Sequence, residues 1–160
     1  MQKITHQQLL DWLKKEVKLS LGCTEPIAIA YAAAVAAKYL NAPILKITGN
    51  ISENLYKNAM GVTIPGTSYC GVTLAAAIGA IGGNADADLE VLKDITATQI
   101  TEAYIFNESG NVCLNAVDAT DFIFIDITLY SLSDQCRVVI QGSHTNVTEV
   151  YINNIKQILV

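Results

Sequence analysis

The spacing of apolar residues near the start of the chain predicts an amphipathic helix. In "THQQLLDWLKKEVKL", Thr5 and Gln8 have the spacing of a capping box, in which each side chain bonds the backbone N–H of the other. The pattern predicts a helix from about residue 5 to 18. Its apolar positions recur on one side, which we expect to be buried: Leu9, Trp12, Leu13 and Val17.

The stretch "LSLGCTEPIAIAYAAA" predicts a second helix of a different character. Thr24 can cap it, Glu25 suits the positive end of the helix dipole, and Pro26 is tolerated in the first turn. The alanine-rich pattern continues to about Tyr39 and ends in the "NAP" segment that follows. Because this helix is apolar on nearly all sides, we expect it to lie in the centre of the fold.

The middle of the chain predicts one strand and several further helices. "APILKITGNIS" has the composition of a strand, and "ENLYKNAM" predicts a short helical turn before an extended "GVTIPG". A third helix is expected from about Ser68, through "YCGVTLAAAIGAIGG", to Gly82 and Gly83. "DADLEVLKDI" and "ATQITEAYIFNES" predict a fourth and a fifth, with Asp86 and Thr98 as caps.

After Gly110 the pattern changes from helical to strand periodicity. Four β-rich runs follow, separated by turns such as "LSD" and "GSHTN": "NVCLNAVDA", "FIFIDITLYS", "QCRVVIQGS" and "TEVYINNI". They predict an antiparallel meander. The predicted fold class is therefore α+β, with apolar N-terminal helices and a C-terminal, mostly antiparallel β-sheet. We expect residues 1–160 to form a single domain, which suits a chain of this length.

Composition and charge narrow the classes of partner. Apolar residues make up 51% of the chain and charged residues 16%, which argues against disorder and favours association, including homo-oligomers. A net charge of −5 with scattered basic residues disfavours nucleic acid. The most apolar run, residues 26–37, is shorter than the ~20 residues of a membrane span, and the N-terminus lacks a signal-peptide core. We therefore expect a cytoplasmic protein outside the membrane, with reduced cysteines.

Cys23 lies where a thiol can have a chemical function. At the N-terminus of the predicted second helix, the positive end of the dipole stabilises a thiolate, which is the form that binds metal or attacks a substrate. Alternatively, Cys23 is a small buried apolar residue that fills a tight glycine turn. The residues alone leave both interpretations open and slightly favour the packing role.

The segment "GVTIPGTSYCGV" carries groups that suit a small anion. Its Pro-Gly turn leads Gly66, Thr67 and Ser68 into the predicted helix start, where free N–H groups can bind a carboxylate or phosphate. Helix capping explains these residues nearly as well. Cys70 is expected to face the core.

The segment "GSHTN" holds one of the two histidines. His144 can act as an acid or base, with Thr145 and Asn146 as hydrogen-bond donors, although such residues are also ordinary in turns. Three carboxylates among the predicted strands lack metal-ligand spacing and are expected in turns or on the surface: Asp118, Asp121 and Asp126.

Three motifs, in this order, resemble one family: "LGCTEPIAIA", then "IPGTSYCGVTLAAAIGAIGG" with the trailing "ADLEVL", then "SHTN". Together they are similar to the N-terminal part of the cysteine desulfidase family, which is related to the alpha subunit of iron–sulfur L-serine dehydratase. The resemblance extends from about residue 5 to 153. Its first two motifs are long and fairly specific.

The resemblance implies a lyase that converts L-cysteine or L-serine to pyruvate and ammonia, with release of sulfide or water. It also implies a [4Fe-4S] cluster held by three cysteines, of which Cys23 would be one. The other two belong to a C-terminal half of the family, whose motifs Cys70, Cys113 and Cys136 do not match. The expected partners are therefore that C-terminal half, or a second subunit, and a small amino-acid substrate. The cluster is expected only in the complete enzyme.

The leading hypothesis is the N-terminal portion, or a separate subunit, of such a lyase, inactive alone. Cys23 would bind the cluster, and Glu25 and His144 would act in catalysis. Six residues would bind the substrate: Thr24, Gly66, Thr67, Ser68, Thr145 and Asn146. The alternative is a non-catalytic module of the same fold that binds a small anion or amino acid or serves in assembly. A third hypothesis is a thiol enzyme that uses Cys23 with His144.

Overall fold

The computed structural model describes residues 4–16 and 20–158 and confirms the α+β class. The helices are α1 (His6–Glu16), α2 (Thr24–Leu40), α3 (Glu53–Met60), α4 (Val72–Gly82) and α5 (Ala97–Glu108), with a 3₁₀ helix at Ala85–Glu90. The strands are β1 (Lys46–Ser52), β2 (Val112–Val117), β3 (Phe124–Tyr130), β4 (Gln135–Gln141), β5 (Val147–Ile152) and β6 (Ile155–Lys156). Across these ranges, no helix has both the length and the apolar character that a bilayer crossing requires.

The helix α2 lies in the centre of the fold, as its pattern predicted. Its residues 26–36 are buried, and it ends at Asn41, whose φ of 47° is left-handed. The helix α4 packs against α2 so closely that a Cβ added at Gly79 would lie 2.1 Å from the carbonyl oxygen of Ala30. The two backbones can approach this closely because α4 has no side chain at that point.

The six strands form one sheet in the order β2-β1-β3-β4-β5-β6. From β3 to β5, neighbours are antiparallel, as predicted, and the short β6, which was not predicted, pairs antiparallel with β5. The predicted meander is wrong for its first run, because β2 runs parallel to β1, with Ile47 opposite Val112. The strand β1 then separates β2 from β3. A parallel pair requires a crossover connection, which α3, α4 and α5 provide and which strand periodicity cannot reveal.

One face of the sheet packs on the helices and the other is open. Residues of β3 alternate between buried and half-buried, and the buried side meets α2. On the open face, the Asp126 carboxylate accepts hydrogen bonds from Arg137 Nε at 2.8 Å and Nη2 at 2.9 Å. Asp126 therefore lies on the open surface of the sheet, one of the two expected places, and not in a turn. It is a half-buried strand residue, held there by a bidentate cation on the neighbouring strand.

The start of α4 differs from the prediction. The helix begins at Val72 instead of near Ser68. Residues 63–70 instead form a small hairpin, in which Ile64 N–H bonds the carbonyl of Tyr69 at 2.8 Å. Cys70 lies in this hairpin and is exposed, so the expectation that it faces the core is also wrong.

Other helices of the middle segment differ in length or cap. "ENLYKNAM" forms the whole of α3 instead of a single turn. The predicted fourth helix is the short 3₁₀ helix, and its cap is Asn84 instead of Asp86. The cap of α5 is Thr96 instead of Thr98, because Thr96 and Gln99 form a complete capping box.

The helix α1 has the predicted capping box but not the predicted buried face. Gln8 N–H donates to Thr5 Oγ1 at 3.2 Å, and Thr5 N–H donates to Gln8 Oε1 at 2.9 Å. Every side chain from Ile4 to Leu13 is exposed, and the core of the described chain begins only at Ile27. The predicted apolar residue Val17 and the predicted helix end near residue 18 lie outside the described residues.

Candidate functional site

The N-terminus of α2 presents Cys23 at the surface. Cys23 immediately precedes the helix, but its side chain makes no capping bond to the helix N–H groups. Its thiol donates instead to Glu25 Oε2 at 3.1 Å, and the Thr24 hydroxyl donates to the same oxygen at 3.4 Å. Because Cys23 is exposed, its interpretation as a buried packing residue is wrong. It is an accessible thiol beside a carboxylate.

The protonation of this pair is opposite to what the helix dipole alone predicts. Shielding of the sulfur from water, followed by the hydrogen bond to Glu25 and its negative charge, raises the pKa of the Cys23 thiol. The same hydrogen bond from Cys23 is the main cause that lowers the pKa of Glu25. The isolated site therefore holds a neutral thiol and an ionised carboxylate. This disfavours the hypothesis of a thiol enzyme, which needs a thiolate nucleophile.

His144 lies in the turn between β4 and β5 and is half-buried. Burial lowers the pKa of the imidazole, and the negative charge of Glu25 opposes that shift. The favourable charge interaction with His144 also contributes to the low pKa of Glu25. The fold therefore brings the "GCTEP" and "SHTN" motifs close enough for the charges of Glu25 and His144 to interact, so that a thiol, a carboxylate and an imidazole lie in one region. Such a set can donate, accept and relay protons.

The Pro-Gly turn adjoins this cluster. A Cβ added at Gly22, the residue before Cys23, would lie 3.1 Å from Pro65 Cγ. The predicted substrate-binding residues Gly66, Thr67 and Ser68 follow in the hairpin, so the expectation that they form a helix start is wrong. The Thr67 hydroxyl is engaged within the turn, where it donates to the Ile64 carbonyl at 2.9 Å and accepts from Tyr69 N–H at 3.0 Å.

The same hairpin lines a cavity of about 500 Å³ that reaches the first turns of α5. Its walls are formed by seven residues: Gly66, Thr67, Ser68, Tyr69, Ala97, Ile100 and Thr101. The ring of Tyr69 also lies 5.3 Å from that of Tyr104 on α5. The hairpin thus contributes to an open cavity between itself and α5.

The structure places Thr145 and Asn146 on a different cavity, of about 410 Å³. Its other polar walls include Tyr31 and Lys38 from α2 and Asp86 from the 3₁₀ helix. Asn146 Nδ2 donates to the carbonyl of Gln141 at 2.9 Å and so closes its own turn. Within the "SHTN" motif, His144 interacts electrostatically with Glu25 of the Cys23 cluster.

Sequence reasoning missed the polar groups of this second cavity. Lys38 Nζ lies 2.5 Å from Asp86 Oδ1, and burial, with the nearby Asp88 charge, raises the pKa of Tyr31 to about 12. A signal was present, because Tyr31 and Lys38 are among the few polar side chains in an alanine-rich helix and lie two turns apart.

The cysteines of the described chain do not gather into a metal site. Within residues 4–16 and 20–158, no group of three or more His, Cys, Asp or Glu side chains is arranged to hold a metal ion. Cys113 is exposed on β2, and Cys136 is buried on β4, where burial raises its pKa to about 11. Cys23 fits one thiolate ligand of a [4Fe-4S] cluster, and the described residues do not supply the rest of the ligand set.

Replacing Glu25 with glutamine is expected to lower the pKa of Cys23, because the change removes the carboxylate charge and the bond that holds the thiol proton. Since iodoacetamide reacts with the thiolate, alkylation of Cys23 near pH 8 should become severalfold faster. Mass spectrometry can follow each cysteine separately, with exposed Cys113 as the internal reference. An unchanged ratio of the Cys23 and Cys113 rates would contradict the assignment.

Comparison with known proteins places these motifs in longer relatives. A UPF0597 protein of Klebsiella pneumoniae subsp. pneumoniae is 54% identical over 144 residues, which are 90% of this chain and 34% of the relative. A UPF0597 protein of Shewanella sediminis is 45% identical over 147 residues, covering 92% of this chain and 35% of the relative. A UPF0597 protein of Photobacterium profundum is 44% identical over 146 residues, which are 91% of this chain and 34% of the relative.

The chain thus spans about a third of the length of the curated relatives it matches. The names of these relatives state no activity. No protein-family model matches the chain. No solved structure matches it.

Proposed function

We propose that this chain is one portion or subunit of an iron–sulfur-dependent amino-acid lyase that converts L-cysteine or L-serine to pyruvate and ammonia, with release of sulfide or water. The observation that carries the proposal is the exposed Cys23 thiol, which donates to Glu25 at 3.1 Å beside His144. The resemblance of the "GCTEP", "IPGTSYCGV" and "SHTN" motifs to cysteine desulfidases supports the same reading. The chain alone is inactive, because Cys23 supplies a single cluster ligand.

In the complete enzyme, an iron of the cluster with an open position would act as a Lewis acid toward the substrate. The raised pKa of Cys23 does not oppose ligation, because a metal ion deprotonates a coordinating thiol outright. Glu25, ionised and half-buried, is placed to hold the substrate ammonium group or to accept a proton. Half-buried His144, whose charge interacts with that carboxylate, would donate or accept the second proton of an elimination.

The hairpin that follows Pro65 supports a site open to a small substrate. It contacts Gly22 and faces a cavity of about 500 Å³, large enough for an amino acid with room to spare. Within the proposal, the substrate contacts are Thr24 beside Cys23 and the Gly66–Ser68 turn on the cavity wall. Thr145 and Asn146 line the other cavity and carry less weight in the proposal.

Anaerobic reconstitution tests the proposal. The chain is mixed with iron, sulfide and the part of the Klebsiella relative that it does not match, and visible absorbance and pyruvate release from L-cysteine and L-serine are measured. We expect a brown cluster and pyruvate from the mixture and neither from each polypeptide alone.

Absence of both signals from the mixture would contradict the proposed function. Saturable binding of L-serine to the isolated chain, measured by calorimetry without iron and without pyruvate release from the mixture, would instead favour the non-catalytic binding module.

A further inference from the structure

The apolar face of α1 has no cover in the described part of the chain. Four large side chains on this helix are exposed: Trp12 at 61%, Leu13 at 53%, Leu9 at 40% and Leu10 at 37%. The other side of the helix is polar, with Gln7 Nε2 donating to Asp11 Oδ1 at 2.8 Å. A folded monomer seldom leaves a stripe of large apolar residues on one helix in water, so the stripe indicates an interface.

The length of α1 leads to the same conclusion. It has 11 residues, and a helix shorter than ~12–15 residues is marginal in water unless an apolar face packs on something else. The capping box and the Gln7–Asp11 pair stabilise such a helix only modestly. A stable α1 therefore requires a partner over Leu9 and Leu13.

A second copy of this chain does not fit this requirement well. A helix of this size is only about 16 Å long, so two α1 helices pressed together would cover a few hundred Å². Stable association between separate proteins usually needs ~1,200–2,000 Å². The missing polypeptide of the enzyme can contact α1 together with the surfaces around it, so α1 has to supply only part of that area. The curated relatives carry such polypeptide, about two thirds of their length beyond the matched part.

We propose that the apolar face of α1, formed by Leu9, Leu10, Trp12 and Leu13, docks into an apolar groove on the polypeptide that completes the lyase. This inference rests on the proposed function, since it takes the partner to be the remaining part of the same enzyme. It adds that α1 is one of the elements through which the two parts bind each other. The Cys23 cluster follows α1 in the chain, so docking of α1 also brings that cluster toward the partner.

Trp12 makes the test direct, because it is the only tryptophan in the chain and lies on the proposed docking face. The chain is titrated with the unmatched part of the Klebsiella relative, without iron, while Trp12 emission is followed after subtraction of the partner's own signal. We expect a blue shift and protection from acrylamide quenching. Leu13→Lys should weaken the apparent affinity about tenfold to a hundredfold, as for a lost buried leucine.

Gln7→Lys is the matched control, because it adds the same charge on the polar side of α1, next to Asp11, and should leave the affinity within about twofold. Thermal unfolding of both variants should match that of the parent chain, since α1 lies outside the core. An unchanged Trp12 spectrum, with or without co-elution of the two polypeptides, would overturn the inference. A blue shift of the chain alone on raising its concentration would also overturn it in favour of self-association.

The inference and the proposed function can fail separately. Docking reported by Trp12, without a cluster or pyruvate after reconstitution, would reject the lyase and retain the interface. A cluster and pyruvate without any change at Trp12 would retain the lyase and reject α1 as the docking element.

Discussion

Gly79→Ala is expected to lower the free energy of unfolding by about 1–3 kcal/mol, which is the usual cost of overpacking a core. The new Cβ would lie 2.1 Å from the Ala30 carbonyl oxygen and 2.5 Å from its Cα, so a backbone must move. Alanine favours a helix over glycine by about 1 kcal/mol, but a displaced α2 loses more than that, because residues 26–36 are all buried.

Urea denaturation monitored by circular dichroism measures this effect. Gly61→Ala is the matched control, because Gly61 follows α3 with a negative φ and no atom lies within 4 Å of the added Cβ. That variant should be as stable as the parent chain or slightly more stable. Equal stability of the two variants would show that α2 and α4 are not packed backbone to backbone.

Cys23→Ala is expected to abolish cluster absorbance and pyruvate formation in the reconstituted mixture, leaving only background. In the proposed function, Cys23 is the one cluster ligand that this chain supplies, so the cluster cannot form without its sulfur. Folding should be unaffected, because the side chain is exposed and makes no capping bond. The loss can therefore be assigned to the missing sulfur.

Cys113→Ala provides the comparison, since Cys113 is an equally accessible thiol on β2, outside the proposed site. We expect that variant to retain full absorbance and activity. Iron content per chain and unfolding temperature should be measured on both variants. A Cys23→Ala mixture that keeps its cluster would remove the chemical basis of the proposed function.

Local sequence patterns predicted the helices and strands of this fold well, but they did not predict which strands pair with each other. The alanine-rich run identified α2 as central because burial on all sides leaves a helix with hardly any polar positions. The β-rich run "FIFIDITLYS" likewise predicted the strand β3. The pairing of β2 with β1 depends on a crossover connection that contains α3, α4 and α5. The spacing of residues within a strand cannot predict such a connection.

At the candidate site, the sequence likewise predicted the position of Cys23 but not the hydrogen bonds around it. The sequence predicted that Cys23 lies at a helix N-terminus, and it does. The predicted thiolate was wrong because the prediction counted the dipole but neither the shielding of the sulfur from water nor Glu25, two residues away, both of which raise the pKa of the thiol. The start of α4 was wrong because the Thr67 hydroxyl bonds its own turn, which makes a hairpin where a helix was expected. Hydrogen bonds within such turns decide boundaries that apolar periodicity does not mark.

The central position of β1 has a consequence for the order in which the chain folds. During synthesis, Ile47 and Ile51 emerge long before their partners on β2 and β3, including Val112 and Ile125. These contacts are far apart in sequence, so closing them costs chain entropy before it yields any burial, which slows folding. The helices α2 and α4 are closer in sequence and can meet first. A nascent chain that stalls before β3 is synthesised would therefore expose the apolar strand β1, which promotes aggregation.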